Sequence, residues 1–514
     1  MKEHTNHLGI TQIMGYSKCG TISEIMKACR AYYSIGVPIL LRRPVEISSS
    51  EFLSSFYYFI FATNLGPTDR ARFLRTIIWD HDVDIPRDDR NDYYDRGISP
   101  TAYTRKQYEQ DRGDALKFMY ILSHASGLEY LDFTQGSSQQ FIEFCPDAVD
   151  TLANLARLRS LHICHGTTTD VNWFLRAKSP IVALAIDFRG HASDNQELST
   201  FSRFRDTLVS LEIWDLMLRP GDENLRFPRV RRFRIEANYG QLPIPASYVF
   251  QIFPNIQVLE LPSHFEDATY GDYNESNIQN QRSLNLAQVR KLEPAQRNLH
   301  LKELRGCAAD LFRGAYECTV ENLSVVRLDC WDFQWFLPLL PQMRPVSLLL
   351  QFNVCDREPG PIQIVEMALQ KLSTTNTLEN LSLFIDLPGP QDASSIHWCK
   401  EDLYTAFAHA SIETLTIVCG RGYRCELRDY WKTGHVVESV VCKIVEASKT
   451  LRTVIVGDWN GTHTFNISQD FVPSYYEKSM TDQSRVWFHY SFSHLALKWP
   501  VSDGDDTVEY DIDV

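Results

Sequence analysis

The chain has 514 residues, with 51 basic against 65 acidic side chains and a net charge of −14. That balance argues against general binding to nucleic acid or to an anionic membrane surface, both of which call for clustered positive charge. The length is large for one globular core but natural for a solenoid, which grows by adding layers.

Residues 1–20 carry little pattern. Met1-Lys2-Glu3-His4 leads into no apolar core of signal-peptide length, and no apolar run approaches a membrane span. Of the 12 cysteines, most sit beside apolar positions, among them Cys29, Cys164, Cys330, Cys419 and Cys442. They read as reduced, buried thiols of a cytoplasmic or nuclear protein.

The first helix is predicted from Thr21, where Thr21-Ile22-Ser23-Glu24 fits a capping box; Gly36 and Pro38 supply its stop. Ile22, Ile25, Met26, Cys29 and Tyr33 fall on one face of it. Val45 to Ile47 reads as a short strand, and Ser49 to Thr63 as a very apolar helix covered on more than one side. Residues 80–113 are too polar for a layer and read as an insertion, with a helix resuming around Asp114 to His124.

From there one phrase recurs, L-x-x-L-x-L. Copies are Leu128/Leu131/Phe133, Leu158/Leu161/Ile163, Ile181/Leu184/Ile186, Leu208/Leu211/Ile213, Val230/Phe233/Ile235 and Ile256/Leu259/Leu261. Later ones are Leu323/Val326/Leu328, Met343/Val346/Leu348, Leu378/Leu381/Leu383, Ile412/Leu415/Ile417, Leu451/Val454/Val456 and Phe492/Leu495/Leu497. Leu74/Ile77/Trp79 is an early outlier, and Leu301/Leu304 begins a copy that fails at Gly306. Alternate residues of a strand point to opposite faces, so the last two apolar positions share one face. Such a unit buries that face only by stacking on its neighbours. Helical links are predicted at Pro146 to Ala156, Asp170 to Ala177, Phe336 to Leu340, Ile362 to Leu372 and Val436 to Ala447. His264 to Ser283 reads as a second polar insertion, and Asp503 onward as an acidic tail. The fold class is therefore α/β: an irregular leucine-rich-repeat solenoid, with a curved parallel sheet and helices on its convex side.

No G-x-x-x-x-G-K-[ST], H-E-x-x-H, G-x-S-x-G or C-x-x-C motif is present. The Asp80/His81/Asp82/Asp84 cluster reads as a solvated loop, Gly420-Arg421-Gly422 as a loop glycine pair, and Cys419/Cys425 lacks a matching ligand pair. His162 and His165 flank a strand, with nothing in the sequence to set an acid or nucleophile against them. No catalytic residue, cofactor or metal is expected. The outward strand positions compose a candidate partner surface: Tyr130, Asp132, Ser160, His162, Glu212, Trp214, Arg232, Arg234, Glu260, Arg327, Asp329 and Trp331. Mixed charge with aromatics suits protein recognition.

The run from Ile22 to Arg42, with Cys29-Arg30-x-x-Tyr33-x-x-Gly36 and then Leu40-Leu41-Arg42, resembles the C-terminal half of an F-box. It is similar to the form found in leucine-rich-repeat-like F-box proteins of basidiomycete fungi; Phe52-x-x-x-Phe56 and Leu74-Arg75-Thr76-Ile77 resemble that family's junction. The opening Leu-Pro-x-Glu helix of an F-box has no counterpart in Met1 to Gly20. The resemblance implies a substrate receptor of a cullin-type ubiquitin ligase, with a Skp-type adaptor docking at Ile22, Ile25, Met26, Cys29, Tyr33 and Leu40. The alternative is a stand-alone repeat scaffold. The expected organisation is an F-box-like segment over 1–48, a junction over 49–127, the array over 128–500 and a tail over 501–514.

Overall fold

The structure is a computed structural model. It describes residues 12–478 apart from 29, 62–69, 81–104, 135–140, 143, 165, 167–172, 189–195, 215, 219–221, 237–243, 262–274, 298, 329–331, 354–360, 374, 376, 387–405, 408–410, 420–433, 449, 459–460 and 468–472. The chain divides into two compact units: residues 1–196, 200–208 and 493–514, and residues 197–199 and 209–492. Both are α/β, built on mostly parallel strands whose layered repetition is compatible with a solenoid.

The first unit opens with a helical hairpin, α1 (Cys19–Ala28) and α2 (Arg30–Leu41). The predicted cap and stop are both corrected. Ile22 N–H bonds the Lys18 carbonyl, so Thr21 lies inside α1, and Glu24 pairs with Lys27 at 2.6 Å instead of capping. The helix α2 runs through Gly36 and Pro38. Tertiary packing overrides the breakers: Gly36 is where Met26 and Ile22 of α1 press on α2, and a Cβ there would collide with the Met26 side chain. Arg43 then donates to the Gly15 and Ser17 carbonyls, at 3.1 and 2.5 Å, tying the end of the hairpin to its start.

The parallel strands β1 (Val45–Ile47), β2 (Thr76–Trp79), β3 (Tyr130–Phe133), β4 (Ser160–Ile163) and β5 (Ala183–Asp187) follow, paired in that order. Between them lie α3 (Ser50–Phe61), α4 (Arg105–His124) and α5 (Ala148–Ala153). The helix α4 begins well before the expected Asp114. Its Phe118 meets Trp79 at 4.1 Å and Phe133 at 6.2 Å between ring centroids, so the apolar strand face packs on the helices.

In the second unit, β6 (Ser210–Trp214), β7 (Arg232–Glu236), β8 (Val258–Glu260), β9 (His300–Gly306), β10 (Thr319–Leu328), β11 (Ser347–Asn353), β12 (Asn380–Asp386), β13 (Thr414–Cys419) and β14 (Thr453–Asp458) are parallel neighbours in chain order. β15 (Gly461–Ile467) and β16 (Pro473–Lys478) then add antiparallel. The connecting helices include α6 (Ala246–Ile252), α7 (Glu275–Val289), α8 (Pro294–Arg297), α9 (Ala308–Arg313), α10 (Phe333–Phe336), α11 (Leu340–Met343), α12 (Pro361–Ser373) and α13 (Gly434–Ala447).

A recurring backbone contact defines the repeat in both units. The carbonyl after the first apolar position takes two successive N–H groups from the next layer. Arg75 accepts from Glu129 and Tyr130, Glu129 from Arg159 and Ser160, and Arg159 from Val182 and Ala183. In the second unit Val209 accepts from Arg231 and Arg232, and Arg231 from Gln257 and Val258; Gln257, Val346, Glu379 and Glu413 do likewise.

This contact corrects two predicted phases. Leu323 pairs with Leu304 and Leu348, and Val325 with Gly306 and Leu350. The true copies are Val320/Leu323/Val325 and Pro345/Leu348/Leu350, not Leu323/Val326/Leu328 and Met343/Val346/Leu348. Glu321 and Val346 accordingly hold the equivalent carbonyl and amide. The copy at Leu301/Leu304 does not fail. Gly306 completes β9, and the missing side chain leaves room for Leu311 of α9, 3.2 Å from where a Cβ would stand.

The expected polar insertion at His264 to Ser283 is also corrected in part: from Glu275 onward it is α7. The buried stripe of α7 is Ile278, Arg282, Asn285 and Val289. Its polar members serve the orphan carbonyls at the end of α9, Arg282 donating to Phe312 O and Asn285 to Arg313 O, both at 2.7 Å. The Phe336 to Leu340 link is instead the turn between α10 and α11. Residues 81–104, Gly420 to Cys425, the Phe492/Leu495/Leu497 copy and the acidic tail lie outside the described residues.

Candidate functional site

The strand face turned away from the helices carries the side chains that flank the buried apolar positions. Two polar groupings form on it, one in each unit.

In the first unit, register sets Asp132 of β3 beside His162 of β4, and Tyr130 beside Ser160. His162 Nδ1 donates to Asp132 Oδ1 at 2.7 Å. Tyr130 OH donates to Asp132 Oδ2 at 2.9 Å and Thr134 Oγ1 to Oδ1 at 3.2 Å. The other ring nitrogen, Nε2, lies 3.6 Å from Cys164 Sγ. Asp132 and His162 are both buried, so they are not the open surface their strand positions suggest. Burial opposes charge on the ring, but the hydrogen bonds to Asp132 and Cys164, with their charges, outweigh it and raise His162 from 6.5 to about 10. Burial, then the Asp132 carboxylate, pushes the Tyr130 phenol up.

In the second unit the strands set Glu212, Arg234, Glu260 and Arg305 side by side across β6 to β9, alternating in sign. Arg234 Nη1 meets Glu212 Oε1 at 2.7 Å and its Nε meets Glu260 Oε2 at 3.5 Å; Arg232 Nη2 reaches Glu260 Oε1 at 2.7 Å. The Arg234 guanidinium lies over the Trp214 ring, 5.3 Å from its centroid. Glu260 is buried, which disfavours its charge, yet Arg234, Arg232 and Arg305 hold its carboxyl below the ordinary range. Glu303 is pushed up instead, by burial and then by the Glu260 charge.

From β11 to β14 the side chains described on the same face are neutral. Ser347, Leu349 and Gln351, then Asn380, Ser382 and Phe384, then Thr414, Thr416 and Val418, then Thr453 and Ile455 are all half-buried, alternating with buried apolar neighbours.

The sequence-predicted residues thus separate. Tyr130, Asp132 and His162 form one group; Glu212, Trp214, Arg232, Arg234 and Glu260 form another. Trp214 is buried under Arg234 rather than exposed. Arg327 does not join them: it sits in an irregularity of β10 between Val325 and Leu328, with φ 54°. Asp329 and Trp331 lie outside the described residues, as does His165. Glu303, Arg305 and Cys164 were missed. Glu303 and Arg305 flank Leu304 as Arg232 and Arg234 flank Phe233, a signal hidden when that copy was dismissed at Gly306.

In the hairpin, Ile22 and Met26 are buried against α2, while Ile25, Tyr33 and Leu40 are half-buried. The Cys29 side chain lies outside the described part of the structure. Among the described residues no cluster of His, Cys, Asp and Glu could hold a metal, and no helix is long and apolar enough to cross a membrane. No protein-family model matches the chain, and no curated protein matches it significantly.

Proposed function

We propose that this chain is a non-catalytic protein-recognition subunit of the irregular leucine-rich-repeat kind, which takes its partner on the strand face opposite the helices. The observation that carries the reading is the β11 to β14 face: neutral, half-buried side chains in register across successive parallel strands. Such side chains offer hydroxyl and amide groups beside aliphatic and aromatic surface, with no charge of their own for a partner to desolvate. Repeat arrays present binding surfaces of this extended form.

The role we propose for that recognition is substrate capture for a cullin-type ubiquitin ligase. Its support is the α1–α2 hairpin placed directly before the first strand, where the F-box resemblance lies. A Skp-type adaptor would then meet half-buried Ile25 and Leu40, while Tyr33 lies under the Arg70 guanidinium, 5.5 Å from its ring centroid. The scaffold alternative keeps the same face and has no adaptor.

Affinity purification of the full chain, followed by mass spectrometry, tests both parts. The ligase reading expects adaptor and cullin in the eluate. It also expects Thr416→Arg, which places a charge in the middle of the neutral face, to lose the remaining partners while keeping the adaptor. An eluate without adaptor leaves only the scaffold reading; a T416R eluate unchanged in every partner overturns the assignment of the face.

A further inference from the structure

Asp132, His162 and Cys164 are arranged as an orienting acid, a base and a thiol. The carboxylate accepts from Tyr130, Thr134 and His162, so its position is fixed from three sides. The imidazole spends Nδ1 on that carboxylate, which turns Nε2 toward Cys164 Sγ at 3.6 Å. This is the logic of acid–base–nucleophile groups, in which a third residue fixes the ring. The site lies at the carboxyl end of β3 and β4, where open parallel sheets place their chemistry. Cys164 follows β4 directly, its N–H bonded to Phe133 O at 2.9 Å.

The other described buried thiols differ. Burial pushes Cys145 up to about 11 and Cys318 up to about 12. Cys307 lies against the Asp310 carboxylate at 3.1 Å, and burial with that charge pushes it up as well. Among the described residues, none of the three has an imidazole at hydrogen-bond reach. Cys164 alone among them faces one, and that ring is held in its charged form by Asp132.

We propose that Cys164 is a thiol-oxidation site for a small two-electron oxidant of the peroxide class, with His162 as its proton donor. Cys164 as a residue is 8 % exposed, so a peroxide is the size of reactant we assign to it and a peptide is not. The form that reacts carries the proton on the imidazole and Sγ as the thiolate, since a thiolate is the nucleophile in such a step. Sγ attacks one peroxide oxygen, the S–O bond forms and the O–O bond breaks. The sulfur is oxidised by two electrons to the sulfenic acid, and the leaving hydroxide takes the Nε2 proton of His162 to become water. This inference does not depend on the partner-recognition reading, because its readout is the chemistry of the thiol itself.

The test uses the full chain, hydrogen peroxide and a carbon-nucleophile trap for sulfenic acid, with each cysteine quantified by peptide mass spectrometry. Exposed Cys19 is a demanding reference, since Arg43 lies 3.5 Å from its sulfur. Cys164 is expected to be trapped at least about tenfold faster than Cys19 despite its burial, with Cys145, Cys307 and Cys318 slower still. His162→Gln is expected to lower the Cys164 rate about tenfold while those three stay protected, which shows that the variant is folded. A wild-type Cys164 slower than Cys19 overturns the proposal, and so does a folded H162Q that reacts at the wild-type rate. Where H162Q exposes Cys307 and Cys318 by unfolding, the wild-type comparison alone decides.

Discussion

Glu260→Gln isolates the charge ladder of the second unit. The carboxylate is buried, and its oxygens lie 2.7 Å from Arg232 Nη2 and 3.5 Å from Arg234 Nε, with Arg305 next to it across the strands. The amide keeps the shape and one acceptor but leaves a donor facing Arg234 and removes the charge among three guanidiniums. Breaking a buried pair from one side costs about 3–5 kcal/mol. Two features reduce that here: the Arg232 side chain is 45 % exposed, so solvent screens it, and Arg234 keeps Glu212 at 2.7 Å. The expected loss is about 2 kcal/mol, or roughly thirtyfold in local opening. Hydrogen exchange by mass spectrometry on peptides covering β7 and β8 reads this without requiring the whole chain to unfold in one step. The pH dependence fixes the sign. Glu260 is held below its unfolded value of 4.5, so its contribution is full above pH 4.5 and fades as pH falls through the folded value. The gap between wild type and E260Q should therefore be constant near neutrality and narrow below pH 4.5. Protection within threefold of wild type at pH 7, or a gap that widens in acid, refutes the reasoning.

Two further outcomes follow from the same structure. Gly314→Ala places a Cβ 2.5 Å from Tyr316 Cε2 and 2.8 Å from Ile244 O, and the buried tyrosine cannot yield because its OH donates to that same carbonyl at 2.9 Å; the expected loss is about 2–4 kcal/mol in denaturant unfolding, and a loss under about 0.5 kcal/mol contradicts it. His162 is raised from 6.5 to about 10, so its stabilising contribution is complete below pH 6.5 and disappears as pH climbs toward 10. Denaturation midpoints of wild type should fall across that window relative to His162→Gln by an amount worth on the order of a few kcal/mol, and parallel profiles would remove the ion pair as the cause.

The strand layers were legible because burial follows the two-residue alternation: Leu131 and Phe133, Leu211 and Ile213, Leu415 and Ile417 are all buried as the pattern requires. The phase was lost where that alternation is ambiguous. In β10, Val320, Leu323, Val325, Val326 and Leu328 are all buried, and the irregularity between Val325 and Leu328 sets those two, an odd number apart, opposite Leu350 and Phe352 on the same face. Two apolar frames then fit equally well, and the backbone carbonyls alone choose between them. Pro345 hides the next copy for a different reason: it is buried in the leading position but does not resemble leucine. The helix α7 was illegible because its buried stripe contains Arg282 and Asn285, whose partners are carbonyls about thirty residues away in sequence. Periodicity scores apolar faces and is blind to a polar face that caps another helix.

The outward face was legible residue by residue but not as chemistry, since each ion pair joins separate layers: Glu212 with Arg234, Arg232 with Glu260, Asp132 with His162. The partners become visible only once register is known, and register changes what these residues can do. A buried, internally paired charge is a poor contact for a partner, because meeting the partner means giving up a pair already made in low dielectric. Its effect is on alignment: a one-residue slip between β6 and β7 would turn Arg234 inward and break its pair with Glu212, so the ladder penalises wrong register. Under the proposed function, partner recognition therefore falls to the half-buried hydroxyl, amide and aliphatic groups described on β11 to β14, which have no ion pair to give up. On this argument substitutions in the ladder act on stability, and substitutions on the neutral face act on binding, although both sets occupy the same side of the strands.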